Sequence, residues 1–336
     1  MTSKNVVKDN ELKKYGSVEN FGERTRALFN YQFEKWPLLK ERHNNLNILE
    51  SRELKINNTS LLLKFNPQKA VASTSNLNNG LNDTKICSFC SINSSDNQKL
   101  LQYGNDFYIH VNPFPDLEEH LIIAKFKHVS QRIKKNFEDL LNLSRDLGKF
   151  FTIYYNGPDC GPPSTDHLHF YGCRKNIFPL EKEYSLLKES LCRLAGRNGK
   201  AEVWASKNFS RKFIVLESTS KIELLNIFKI FFDGFLRISG DSVEPGMNII
   251  ASFNLNKWTV FIFPRRQYNS ELIKKEGVEQ LLISPSALEF GGICFTGRKD
   301  DLESADQETL ESIFNNISVS TEFFEFLINR CETYFR

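Results

Sequence analysis

Apolar positions recur at helical spacing through residues 18–42, where Phe21, Leu28, Phe29, Phe33 and Trp36 share one face, and this predicts an amphipathic helix laid on a neighbouring domain. Residues 60–65 read as a short strand, followed by Asn66-Pro67-Gln68-Lys69 and a polar, aperiodic loop over 75–83. Apolar runs predict strands at 107–111 and 120–124, then a helix from Ser130 to about Phe150. The hydrophobic run 150–155 leads through a turn holding Gly157, Pro158, Gly161, Pro162 and Pro163 into an alternating segment with His167, His169 and Tyr171. Side chains in a strand alternate faces, so these three point one way while Leu168 and Phe170 point into a core.

The second half predicts a linker helix at 181–196, strands at 202–205 and 212–218, and an amphipathic to buried helix at 222–238. A hairpin of 248–253 and 258–263 turns at 254–257 and ends in Pro264-Arg265-Arg266. Residues 284–298 supply a further strand, and two short helices close the chain. The order resembles that of the first half, so the chain reads as a duplicated α+β unit whose second copy contains no histidine.

Composition narrows the partners. The 336 residues leave room for about two domains, each with its own core, and 40% hydrophobic with 25% charged residues is the balance of a soluble globular protein. A net charge of +3 with scattered Lys and Arg gives no basic stripe for nucleic acid, which leaves local anions such as phosphates. The N-terminal residues mix both charge signs without an apolar segment, and no run of 18 apolar residues occurs. A cytoplasmic protein with no membrane segment is expected. Of the seven cysteines only Cys87 and Cys90 have a meaningful spacing, which suits a metal pair in a reduced compartment better than a disulfide framework.

A Cys-x-x-Cys knuckle is a zinc half-site or a redox pair, and without a surrounding βαβ pattern zinc is the better reading. Two further ligands must come from His110, His120, His128, His167 and His169, since His43 belongs to the N-terminal helix and is expected at its solvent face. A strand-hairpin-helix-strand unit brings His128, at the end of the second strand, near the returning strand with His167. Cys87, Cys90, His128 and His167 then form the closed Cys2His2 shell of a structural Zn2+, which frees His169 for chemistry. Beside a loop rich in free backbone N–H groups, His169 is suited to attack on a phosphate. A His-x-His pair is in itself just as compatible with a surface feature or an incidental metal site.

The stretches NPFPDLEEHLIIAKFKHVSQRI, YNGPDCG and DHLHF, in that order, resemble the two-lobed, galactose-1-phosphate uridylyltransferase-like branch of the histidine triad superfamily. Within it the chain is most similar to diadenosine tetraphosphate phosphorylases, GDP-L-galactose phosphorylases and uncharacterised bacterial relatives. The match spans residues 66–175 and continues more weakly beyond. It implies an α+β fold of two histidine-triad-like lobes, each an antiparallel sheet with packed helices, the second lobe degenerate. The expected division is an N-terminal helical arm over 1–55, a catalytic lobe with the zinc knuckle over 56–180, the degenerate lobe over 181–310 and a C-terminal helix over 311–336.

The resemblance places the family's nucleophile, the middle His of His-x-His-x-Gln/His, on His169, and zinc ligands on His167, Cys87, Cys90 and His128. It places the phosphate loop on Asn156, Gly157 and Ser164, here with extra prolines. The third motif position is Tyr171 instead of Gln or His. A phenol donates one hydrogen bond but lacks the amide carbonyl, and a contact of that kind is worth about 1–3 kcal/mol. Arg265, or Arg266 beside it, matches a Trp…Pro-Arg stretch of the phosphorylases and would bind phosphate, a solvated Arg pair being an equal reading; Lys69 is another such candidate, for which a solvated cation is the stronger reading.

The implied chemistry is double displacement on a nucleoside diphosphate sugar or dinucleoside polyphosphate through a nucleotidyl-His169. Release to phosphate makes a phosphorylase, to a sugar phosphate a transferase, and to water a histidine-triad hydrolase. A homodimer is expected by the same analogy. Two other readings stay open: a catalytically weakened nucleotide-binding protein, motivated by Tyr171, and a structural zinc protein in which both histidines are ligands.

Overall fold

The computed structural model describes residues 5–69, 87, 89–90, 95–161, 166–241, 243–266 and 285–332. The loop expected over 75–83 lies outside them. The chain opens with a short helix α1 (Asp9–Leu12), then α2 (Phe21–Lys35) and α3 (Pro37–Leu46). The Asn20 side chain caps α2 by accepting the Glu23 N–H at 3.0 Å. The single helix expected over 18–42 is broken at Trp36 (φ −122°, ψ 91°), because Pro37 pushes its predecessor into an extended conformation and then fits the first position of α3. His43, expected at the solvent face, is buried on α3 against the edges of Phe29 and Phe33, with centroids 5.1 and 6.1 Å away.

The first lobe follows with β1 (Ser51–Ile56), β2 (Thr59–Phe65), β3 (Leu101–Tyr103), β4 (Phe107–Val111), β5 (Leu121–Lys125), α4 (Phe137–Leu147), β6 (Phe151–Asn156) and β7 (His169–Arg174). α4 starts seven residues later than expected. The backbone N–H groups of Gln131 and Ile133 donate instead to the carboxylates of Asp166 (2.9 Å) and Glu244 (2.8 Å), which ties this stretch to distant segments rather than into a helical turn.

The second lobe comprises α5 (Pro179–Leu191), β8 (Cys192–Asn198), β9 (Ala201–Ser206), β10 (Ile214–Ser218), α6 (Lys221–Ser239), β11 (Met247–Asn254) and β12 (Lys257–Pro264). The helix expected over 181–196 ends at Leu191, since residues 192–198 pair with β9 across a turn at Gly199, whose φ of +59° suits glycine. The chain closes with α7 (Ala287–Phe290), β13 (Ile293–Thr296), α8 (Lys299–Ser304), α9 (Gln307–Ile317) and α10 (Thr321–Glu332).

Ten strands form one antiparallel sheet in the order β3-β4-β5-β7-β6-β11-β12-β10-β9-β8. Each half runs three strands, a helix and two strands, so β3–β7 with α4 and β8–β12 with α6 repeat one topology, and the lobes meet where β6 pairs with β11, Asn156 opposite Asn248. One face packs on α2, α4, α6 and α10; Leu168 and Phe170 point into this core, and Phe137 of α4 stacks on Phe228 of α6 at 3.6 Å and 7° across the lobe boundary. The other face carries α5, α7, α9 and a small sheet in which β13 runs parallel to β2.

The lobes differ in the connection between their last two strands. Residues 157–168 join β6 to β7, whereas β11 and β12 are joined by Leu255 and Asn256 alone, both at positive φ (46° and 61°). Among the described residues no helix is long and apolar enough to cross a membrane.

Candidate active site

His169 opens β7 opposite Ala124 of β5, and two residues on, Tyr171 lies between Ile122 of β5 and Tyr154 of β6. The His169 imidazole is 1% exposed, and burial lowers its pKa to about 4, so it is neutral at pH 7. Its Nδ1 lies 2.7 Å from the His167 carbonyl oxygen, which can only accept. The proton therefore sits on Nδ1, and Nε2 keeps the lone pair a nucleophile requires.

Gln131 fixes the backbone at this point. Its Oε1 accepts the His169 N–H at 2.8 Å, and its Nε2 donates to the carbonyls of Asn156 (3.0 Å) and His169 (3.1 Å). One buried amide thus fastens the end of β6 to the start of β7, on either side of the connecting loop.

Aromatic rings enclose the imidazole. Phe89, between the two knuckle cysteines, stacks on it at 4.1 Å and 14°, and Tyr171 stands perpendicular to it at 4.9 Å and 89°. Tyr171 stacks in turn on Tyr154 at 5.0 Å. The Asp116 N–H donates to His120 Nδ1 (3.1 Å), so His120 Nε2 carries the proton and donates to the Tyr154 hydroxyl (2.7 Å). Burial holds His120 neutral as well, at about 4.

One cavity opens beside these rings and a second adjoins it. The first, of about 550 Å³, is lined by Trp36, Phe89, His110, Asn112, Phe114 and Tyr171, with His110 hydrogen-bonded to Gln98. The other, of about 910 Å³, lies across Arg42 and Phe114 and is bounded by Asn66, Lys69 and Asp116. The shared wall is firm, because the Arg42 guanidinium sits 4.1 Å over the Phe114 ring and donates to the Pro113 carbonyl at 2.7 Å.

The four residues expected as metal ligands converge. Their ligand atoms lie within 4.8 Å of one another, with Cys87 Sγ 3.4 Å from His167 Nδ1, and Cys90 Sγ 3.4 Å from His128 Nδ1 and 3.5 Å from His167 Nδ1. A tetrahedral ion with bonds of about 2.3 Å to sulfur and about 2.0 Å to nitrogen separates S and N donors by roughly 3.5 Å, so the cluster can hold a metal ion. His167 Nε2 donates to the Lys125 carbonyl at 2.8 Å, which leaves Nδ1 unprotonated toward the thiols. His110 and His120 stand apart from this cluster, in the hydrogen bonds described above.

The remaining candidates fall out differently. The Asn156 side-chain oxygen accepts from Asn248 Nδ2 and from the Ala287 N–H, both at 2.8 Å, so it braces the loop base from within. Gly157 donates its N–H to the Met247 carbonyl, and a Cβ at this position would lie 2.6 Å from that oxygen, which explains the glycine by close approach. Arg265, expected as a phosphate contact, is 4% exposed and holds Asn248 Oδ1 (2.5 Å) and the carbonyls of Pro285 (2.9 Å) and Ile317 (3.2 Å); it reaches the loop through Asn248. Lys69 pairs with Asp116 at 2.6 Å with its side chain 34% exposed. Ser164 lies outside the described residues.

Gln131, Asn248 and Phe89 were not singled out in the sequence. The first two carry no motif and act through hydrogen bonds that only the fold creates. Phe89 had a signal, its place inside the knuckle, but nothing local shows which way the ring turns.

Residues 28–174 match a family described as a domain of unknown function (DUF4922), and residues 185–335 match the GDPGP1-like C-terminal domain. No curated protein matches the chain by sequence. Yeast Ap4A phosphorylase Apa2 in complex with Ap4A superposes with a TM-score of 0.60 at 15% identity, over 94% of this chain and 99% of that one. The same enzyme in complex with AMP gives 0.56 at 15% identity over 84% and 97%. An ADP-glucose phosphorylase from Arabidopsis thaliana, at 12% identity over 81% and 100%, reaches only 0.34, too low to bear weight. The chain shares the two-lobed fold of yeast Ap4A phosphorylase Apa2. More narrowly, its second lobe is similar to the GDPGP1-like C-terminal domain over residues 185–335.

Proposed function

We propose that the chain is a nucleotidyltransferase or phosphorylase acting on a nucleoside diphosphate sugar or dinucleoside polyphosphate through a covalent nucleotidyl-His169. The observation that carries this reading is the state of His169: neutral, with its proton held on Nδ1 by the His167 carbonyl and Nε2 left unprotonated. The fold shared with yeast Ap4A phosphorylase Apa2 supports it. Nε2 attacks the α-phosphorus in line, the Nε2–P bond forms, and the P–O bond to the leaving nucleoside polyphosphate or sugar phosphate breaks with its electron pair. An acceptor, phosphate or sugar phosphate, reverses the step and frees Nε2. The Tyr171 hydroxyl meets the charge on the phosphoryl oxygens, and Lys69 supplies a cation at the edge of the larger cavity. Zn2+ on Cys87, Cys90, His128 and His167 is structural in this reading, holding the knuckle and the His167 backbone.

The test is intact-protein mass spectrometry after incubation with a panel of nucleoside diphosphate sugars and dinucleoside polyphosphates, with His169→Ala as control. An acid-labile nucleotide adduct on the native protein alone is the expected result and names the base. Nucleotide binding without any adduct would instead favour the weakened binding protein that Tyr171 suggests.

A further inference from the structure

We infer that Phe89 is a positioning residue for the nucleophile: its ring sets the plane of the His169 imidazole and faces the positive charge that this ring acquires once Nε2 is bonded to phosphorus. This deepens the covalent reading above and rests on it. The charge follows from the atom count. Nε2 gives its lone pair to phosphorus, the departing oxygen takes the P–O pair, and Nδ1 keeps its proton because the His167 carbonyl can accept a hydrogen bond but not the proton itself. A neutral, buried imidazole thus becomes a buried cation, which is costly unless something nearby compensates it.

Among the described residues, Phe89 is the ring parallel to the imidazole, at 4.1 Å and 14°, whereas Tyr171 is perpendicular to it. An aromatic face at that distance attracts a cation through its quadrupole. The stacked ring does not itself stand in the direction of attack, since the Nε2 lone pair lies in the imidazole plane and Phe89 lies above it. The ring is held from behind, because Phe89 sits between Cys87 and Cys90, whose sulfurs lie 3.4–3.5 Å from the imidazole nitrogens of His128 and His167. One cluster therefore meets the nucleophile twice, through the Phe89 ring and through the His167 carbonyl on Nδ1.

The test compares Phe89→Leu, which keeps apolar bulk without a π face, with Phe89→Tyr, which keeps the face. Single-turnover adduct formation is followed by intact mass with Ap4A, ADP-glucose and GDP-glucose as probes, and metal content is measured by native mass spectrometry. We expect Phe89→Leu to form adduct about 10-fold more slowly, in line with a partly desolvated cation–π contact, with half-saturating probe concentration and metal content unchanged. Phe89→Tyr should stay within about threefold of the native rate on the same ground. A Leu variant as fast as the native protein, or a Tyr variant as slow as the Leu variant, overturns the inference. If the native protein forms no adduct, the covalent reading fails, and the positioning role is decided without substrate by long-range 1H–15N spectra of the His169 ring. A single Nδ1–H tautomer in the native protein that averages in Phe89→Leu supports positioning; identical spectra overturn it.

Discussion

Replacing Gln131 by Met removes the amide while nearly preserving shape. The side chain is 2% exposed, and its three hydrogen bonds, at 2.8, 3.0 and 3.1 Å, are all to backbone groups of Asn156 and His169. A neutral buried hydrogen bond contributes about 0.5–1.5 kcal/mol net, and a backbone group left without a partner costs more than the bond gave. Three such groups are stranded at once in Gln131→Met, so a loss of about 3 kcal/mol is expected, a large part of a typical total stability. The same change frees the start of β7 relative to the end of β6, and a displacement of about 1 Å at a reacting group costs on the order of 100-fold in rate. Guanidinium chloride titration should show a lower midpoint at unchanged slope, and hydrogen exchange should show lost protection at the His169 amide. A midpoint shift worth less than about 0.5 kcal/mol with the His169 amide still protected would refute the account, because surface changes alone reach that size.

Three further outcomes are expected. Cys90→Ser should abolish binding of one metal ion per chain in native mass spectrometry and lower the melting temperature, whereas His169→Ala should keep the ion; retention by the first or loss by the second contradicts the ligand set. Glu181, half-buried with both oxygens accepting from the Thr152 hydroxyl (2.9 and 3.0 Å), is pushed by desolvation to about 7 from an ordinary 4.5. The folded state keeps a proton that the unfolded chain gives up in this window, so stability is greatest below pH 4.5 and falls as pH rises to 7, by about 3 kcal/mol; Glu181→Gln should flatten denaturation midpoints measured across that range, and an unchanged slope would count against it. Gly157→Ala places a methyl 2.6 Å from the Met247 carbonyl oxygen, and since that atom is backbone the loop base must move, at a cost of about 1–3 kcal/mol visible in thermal melts; a melt within error of the native one would mean the contact relaxes freely.

Much of the site was legible because its chemistry lies in short runs. Alternation alone put His169 and Tyr171 on one face and Leu168 and Phe170 on the other, and the Cys87-x-x-Cys90 spacing with His128 and His167 named a set of four donors that do converge. What failed was governed by events a local pattern does not contain. Pro37 was read past inside a strong apolar period, and residues 130–136 read as helix because nothing nearby shows that Asp166 and Glu244 will claim their N–H groups. The resemblance offered Arg265 as a phosphate contact, and nothing near it in sequence shows the hydrogen bonds to Asn248, Pro285 and Ile317 that hold it. His43 looked exposed because burial of one imidazole against Phe29 and Phe33 depends on how α2 and α3 fold back on each other.

The junction of β6 with β11 bears on why a lobe without histidines persists. Without β11, the backbone of residues 153–156 would have no partner along the side away from β7 and would become an open sheet edge beside the loop that leads to His169. Unprotected edges of apolar strands recruit other chains, and Phe151-Thr152-Ile153-Tyr154-Tyr155 is such a strand. The second lobe, with its two-residue turn where the first has a loop, thus covers this edge, and a chain shortened to its first lobe would expose it.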